Sequence, residues 1–129
     1  MPRVLQVNTP DGTQSLVVRD LLAMRAAGQR AAVTAIIRMV RDLKASGRDS
    51  RYALPLKGLP LWELKTRSRG GEKGGARVYF FWRVDGVPVL CGAEVKDDDE
   101  ASRHLLMEAL RAYRDYTAKR QEEGNGGEE

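Results

Sequence analysis

The sequence predicts an α+β fold, in which an N-terminal strand and a helical hairpin pack on a three- to four-stranded antiparallel sheet closed by a C-terminal helix. Three observations predict it. Apolar residues recur at helical spacing from about Ser15 to Lys44, and again after the acidic run Asp97–Glu100. Between Leu61 and Val95 the pattern changes to alternation and to β-branched and aromatic residues. Asp85–Gly86 interrupts that stretch with a two-residue hairpin signal. A chain of 129 residues suits one domain. Its bounds are set at 1–120, followed by a disordered acidic tail over 121–129, where no apolar residue offers an anchor.

The elements follow in order. Arg3 to Asn8 alternates and reads as a short strand; Pro10-Asp11-Gly12 turns the chain. Ser15 is a candidate cap for a helix to about Ala27 that Gly28 ends, although Val17 and Val18 also allow a hairpin through residue 18. Val33, Ile36, Ile37, Val40 and Leu43 mark the buried stripe of a second helix, which Ser46–Gly47 ends. Arg48 to Gly58 is polar and irregular. A strand from Leu61 to Arg67 puts Leu61, Glu63, Lys65 and Arg67 on one face and Trp62, Leu64 and Thr66 on the other. Gly70, Gly71, Gly74 and Gly75 predict a flexible loop. Ala76–Val84 and Val87–Val95 complete a three-stranded meander. Asp97 and Glu100 suit a capping box for the last helix, whose apolar stripe is Leu105, Leu106, Ala109, Leu110, Tyr113 and Thr117 and whose end is expected near Arg120.

Composition narrows the functional classes. No apolar run approaches the roughly 20 residues of a membrane span. The N-terminus lacks the basic-then-apolar layout of a secretion signal, and Cys91 has no second cysteine to pair with, so a reducing cytoplasm is expected and no metal site. The formal net charge is +4. From Lys44 to Arg83 ten cations (Lys44, Arg48, Arg51, Lys57, Lys65, Arg67, Arg69, Lys73, Arg77, Arg83) face only Asp49, Glu63 and Glu72. Such a one-sided stretch suits a polyanion held through phosphate contacts and counterion release, and equally a well-solvated surface.

Four segments carry a family resemblance. Leu59-Pro60-Leu61-Trp62-Glu63-Leu64-Lys65, Ala76-Arg77-Val78-Tyr79-Phe80 and Val89 to Lys96 resemble successive strands of RelE/ParE-type toxins; Ala109, Arg111 and Tyr113 to Tyr116 resemble the helix that closes them. The Pro10-Asp11-Gly12 turn and Leu43–Gly47 fit the HigB-like, phage-associated branch, and the resemblance covers roughly residues 3 to 118. It implies a RelE-like fold and the toxin of a type II toxin–antitoxin pair: a metal-independent, ribosome-dependent mRNA endoribonuclease that inhibits translation and needs no cofactor. The implied partners are a cognate antitoxin with a helix-turn-helix part, mRNA on the ribosome, and a homodimer or a heterotetramer with the antitoxin.

In that chemistry the 2′-hydroxyl attacks the adjacent phosphorus. A base, an acid and fixed positive charge are required. Arg77 matches the family's strand arginine and is the candidate clamp on the scissile phosphate, since a guanidinium stays charged and binds phosphate in a bidentate manner. Lys65 and Arg67 share a face and are candidates to hold phosphates or supply the acid. Arg69 and Lys73 extend the cationic stretch. Lys96 stands where the family places basic residues; neighbouring cations would bring it toward base duty, and Asp97-Asp98-Asp99 would push the other way. His104, the single histidine, is the natural acid–base residue at neutral pH if it faces the same cleft. Tyr79 and Trp82 are candidates for base stacking, though alternation puts one of them in the core. Glu63 and Glu94 do not read as a carboxylate pair from spacing alone. Two other readings stay open: a ParE-like gyrase poison, and a catalytically inactive RNA- or protein-binding member of the same fold.

Overall fold

The computed structural model of the chain describes residues 3–9, 11–97 and 101–127, with side chains up to Lys119. In chain order it contains β1 (Leu5–Gln6), α1 (Leu16–Ala26), α2 (Arg30–Ser46), β2 (Ala53–Pro55), β3 (Trp62–Lys65), β4 (Ala76–Trp82), β5 (Pro88–Val95) and α3 (Arg103–Gly127). Single 3-10 turns follow α2 at Gly47–Asp49 and precede β4 at Gly71–Lys73. The class is α+β, as expected, but the sheet is mixed and five-stranded, in the order β1-β5-β4-β3-β2. β2 to β5 form an antiparallel meander, and β1 joins its far edge parallel to β5.

Two corrections follow from this sheet. The segment expected to be irregular supplies an edge strand, β2, with Leu54 opposite Glu63 and Pro55 opposite Trp62. Its three residues are too few to show alternation, and Pro55 is tolerated because an edge strand leaves one side unpaired. The parallel union of β1 with β5 is likewise a tertiary outcome that a two-residue strand cannot announce.

Ser15 caps α1 by accepting the Val18 amide at 3.0 Å, and Gly28 follows the helix with φ +79°. In α2 the buried residues are Ala32, Ala35, Ile36, Met39 and Leu43, while Ile37 is 43% exposed. The helix is therefore rotated from the stripe that large apolar residues suggest. Its alanines allow close approach to the loop before β4, where a Cβ on Gly74 would sit 3.5 Å from the Ala31 carbonyl oxygen. α1 and α2 bury one face of the sheet, with Leu64, Val78, Phe80, Leu90 and Ala93 at the centre. α3 buries the other, packing Ala109 and Ala112 on Leu61, Tyr79, Phe81, Val89 and Cys91. Each large apolar side chain so buried contributes roughly 1.5–3 kcal/mol.

The β4–β5 hairpin closes over three residues, Val84-Asp85-Gly86, instead of two. Arg83 and Val87 pair across it, the Gly86 amide donates to the Arg83 carbonyl, and Gly86 takes φ +84°. α3 continues past the end expected near Arg120, to Gly127. Of the capping box assigned to Asp97 and Glu100, Glu100 lies outside the described residues, as do the side chains of the acidic tail. Ser102 precedes the helix instead, its hydroxyl accepting the Leu105 amide at 3.5 Å.

Candidate functional site

The cationic residues meet at one end of the sheet, where β3 leaves, β4 enters and β5 ends. Register brings them together: Lys65 stands opposite Arg77, and Arg77 opposite Glu94. One rung inward, Glu63 stands opposite Tyr79. Cross-strand partners and residues two apart share a face. Glu63, Lys65, Arg77, Tyr79 and Glu94 thus form one polar cluster on the α3 side.

Its contacts are specific. Glu63 lies between two cations, with Oε1 3.7 Å from the Lys65 Nζ and Oε2 3.8 Å from the Arg77 Nε. The Tyr79 hydroxyl donates to the Glu94 carboxylate, and the Ser102 amide donates to the same carboxylate at 3.1 Å, tying the entry of α3 to the cluster. Burial, with the hydroxyl's bond to Glu94 second, pushes the Tyr79 phenol far above its ordinary range, so it stays protonated.

Lys96, immediately after β5, organises the neighbouring loop. Its Nζ donates to the carbonyl of Thr66 at 2.6 Å and to that of Arg67 at 3.4 Å. Its backbone works on the same segment: the Lys96 amide donates to the Gly75 carbonyl, and the Lys96 carbonyl accepts the Gly70 amide. The Gly75 amide closes the loop on the Gly70 carbonyl at 2.9 Å. A Cβ on Gly75 would lie 2.8 Å from the backbone of Arg69 and Gly70, so this position requires glycine. The loop expected to be flexible is therefore stapled at both ends. It holds Arg67, Arg69 and Lys73 exposed to solvent.

Of the residues singled out by sequence, Lys65, Arg67, Arg69, Lys73, Arg77 and Lys96 share this end of the molecule. Three roles change. Arg77, expected to clamp the scissile phosphate, is 1% exposed, so its guanidinium does not lie open to a phosphate. Lys96 is 6% exposed with its ammonium on two carbonyls, which suits holding a loop and not accepting a proton. Tyr79 is 0% exposed and so presents no ring to a base. Trp82, its alternative, lies in the opposite layer, edge-on to Trp62 and Phe80.

His104 sits in the first turn of α3, exposed, one helical turn before Glu108, whose carboxyl its charge helps to lower. Glu108 takes two bonds from Arg19 of α1, at 2.6 and 3.1 Å, and these are the main cause of that lowering. That side of α3 therefore faces α1 at the β1 flank of the sheet. Lys65 lies on β3, toward the other flank, and no described contact joins His104 to it. Arg19 also holds Asp20, whose Oδ2 accepts the Ala93 amide at 2.9 Å beside the irregular β5 pairing at Tyr79/Phe80. Burial raises the Asp20 carboxyl despite these bonds. A groove of about 570 Å3 runs along this flank, between Gln6, Arg19, Glu108 and Tyr116, away from the cationic end.

Sequence reasoning missed Glu63 and Glu94 as members of the cluster. Alternation had already set Glu63 on the Lys65 face; the missing information was the register that adds Arg77 and Glu94. Cys91 is buried and its thiol is pushed up to about 12, leaving no thiolate at neutral pH. Among the described residues no three His, Cys, Asp or Glu side chains converge as metal ligands. None of the helices described is long and apolar enough to cross a membrane. Compared with known proteins, the chain matches no family model and no curated protein.

Proposed function

We propose that this chain is the toxin of a type II toxin–antitoxin pair and acts on mRNA at the ribosome as a metal-independent endoribonuclease. The observation that carries the reading is the convergence of Lys65, Arg67, Arg69, Lys73 and Arg77 on one end of a meander that α3 closes. The element order, one strand, two helices, the meander and a closing helix, agrees with the RelE-like scaffold that the motifs resemble.

In this reading the exposed loop cations Arg67, Arg69 and Lys73 seat the phosphates flanking the cleaved bond. Lys65, half-buried and held toward Glu63, points its charge at the phosphorane-like transition state and gives a proton to the leaving 5′-oxygen, while the attacking 2′-hydroxyl gives its own proton to solvent. Arg77 contributes fixed positive charge from behind, oriented by Glu63. Lys96 acts through the loop it staples. The proposed partner is an antitoxin whose acidic segment covers this end, with charge complementarity raising the association rate.

A second reading is favoured by the burial of Arg77 and Lys96: a chain that grips RNA on the ribosome without cutting it. Purified chain added to translating ribosomes with a defined mRNA separates the two. New 5′ ends by primer extension, lost in Arg67→Gln/Arg69→Gln/Lys73→Gln, support the nuclease. Stalled ribosomes on intact mRNA support the second reading. Intact translation with blocked gyrase supercoiling overturns both in favour of a ParE-like poison.

A further inference from the structure

α2 carries a second cationic surface, distinct from the sheet end. At 100° per residue, Arg30, Thr34, Ile37, Arg38, Arg41, Lys44 and Ala45 fall in one stripe, opposite buried Ala32, Ile36, Met39 and Leu43. All seven stripe residues are exposed. Four are cations and none is acidic. The helix's one acid, Asp42, lies off the stripe and accepts the Ser50 hydroxyl at 2.6 Å. Arg38, Arg41 and Lys44 enter no ion pair among the described residues.

Further cations flank the helix. Beyond its C-terminus, the Arg48 guanidinium lies over Trp82 at 4.6 Å and Trp62 at 5.7 Å, and Arg51 lies over Tyr52 at 5.0 Å. At the N-terminus of α2, Gly71 of the stapled loop abuts the Gln29 side chain, off the stripe. From Arg30 to Lys44 the helix rises about 21 Å at 1.5 Å per residue.

We infer that the outer face of α2 is a docking track for the phosphate backbone of double-helical RNA. The chemistry favours this over an acidic protein. A protein-binding helix face is built around an apolar or aromatic centre depleted in charge, whereas here Ile37 is the single large apolar residue on the stripe. Three of the four cations are arginines, whose planar fork pairs with phosphate oxygens. Cations at successive turns match a rod with regularly spaced charges. The track does not depend on cleavage, so it stands or falls separately from the nuclease reading.

The test is fluorescence anisotropy of a labelled RNA stem-loop of about 16 base pairs, titrated with the full chain across a salt series. Arg38→Gln/Arg41→Gln/Lys44→Gln should weaken binding at least about tenfold near 0.1 M salt. It should lower the slope of log K against log salt by about 0.9 for each phosphate no longer neutralised. The exposed positions should leave the melting temperature within a few degrees, and Arg41→Gln alone, with a slope change of about 0.9, serves if the triple variant folds poorly. Two results overturn the inference: wild-type slope and affinity in a folded variant, or labelled poly-glutamate binding to the wild type as tightly as the RNA.

Discussion

Replacing Arg77 with alanine is expected to destabilise the fold by about 3 kcal/mol. The side chain is 1% exposed, so truncation removes a buried stem and leaves the Glu63 carboxylate, itself 7% exposed, without its guanidinium. Breaking a buried ion pair by removing one partner costs about 3–5 kcal/mol. The lower end applies because Lys65 stays 3.7 Å from the same carboxylate. For a domain of this size that corresponds to a fall in Tm of about 10–15 °C. Urea unfolding monitored by tryptophan fluorescence gives the free energy directly, since Trp62 and Trp82 pack in the core layer behind β4. Glu63→Gln/Arg77→Met removes both charges and should recover part of the loss. A cost below about 1 kcal/mol for Arg77→Ala, or no recovery in the double variant, would refute the claim that Arg77 is structurally held by Glu63. It also follows that lost toxicity in Arg77→Ala is not evidence of a catalytic role unless the fold is shown to survive.

Other predictions follow from the loop and the turns. Lys96→Met should cost about 1.5–3 kcal/mol, the worth of hydrogen bonds from a charged group, and accelerate amide exchange at Gly70 and Gly75; unchanged exchange would contradict the staple. Gly75→Ala should cost about 1–3 kcal/mol through overpacking on the Arg69 backbone and weaken RNA binding with it, whereas wild-type stability would show that the loop is slack. Asp11 accepts from Thr9 and Thr13, which hold its carboxyl at about 2 against an ordinary 3.8. Its contribution is full above 3.8 and is lost as pH falls through 2; a carboxyl resonance titrating at its ordinary value would show the turn unformed.

How much of this was legible in the sequence differs by element. Ser15, the Asp85-Gly86 hairpin and the alternation at Leu61–Lys65 act locally, through capping, turn geometry and pleat, so each could be read from neighbours in the chain. The faces of β3 came out as expected, with Leu61 and Glu63 toward α3 and Leu64 toward α2. Of the α2 stripe, Ile36 and Leu43 are buried and Val33 and Val40 pack against the same core; Ile37 alone points out, because the centre of the face lies nearer Ala32, Ala35 and Met39. β2 and the parallel pairing of β1 depend on strands far away in sequence.

The candidate site divides along the same line. That Lys65 and Arg67 belong together was visible from spacing. That Arg77 is buried, that Lys96 spends its ammonium on two carbonyls, and that Tyr79 is a core residue are consequences of register and of α3 closing over the sheet. His104 was expected in the site only if it faced the same cleft; it stands exposed in the first turn of α3, where its charge bears on Glu108, the partner of Arg19.

The proposed function has the sheet-end cations act on RNA at the ribosome. The most direct measurement is primer extension on a single mRNA in a reconstituted translation reaction, comparing the wild-type chain with Arg67→Gln/Arg69→Gln/Lys73→Gln. The wild type should produce new 5′ ends within the reading frame, dependent on translation, and the variant none at matched folded concentration. Equal cleavage by both, or intact mRNA under continuing translation with the wild type, would contradict it.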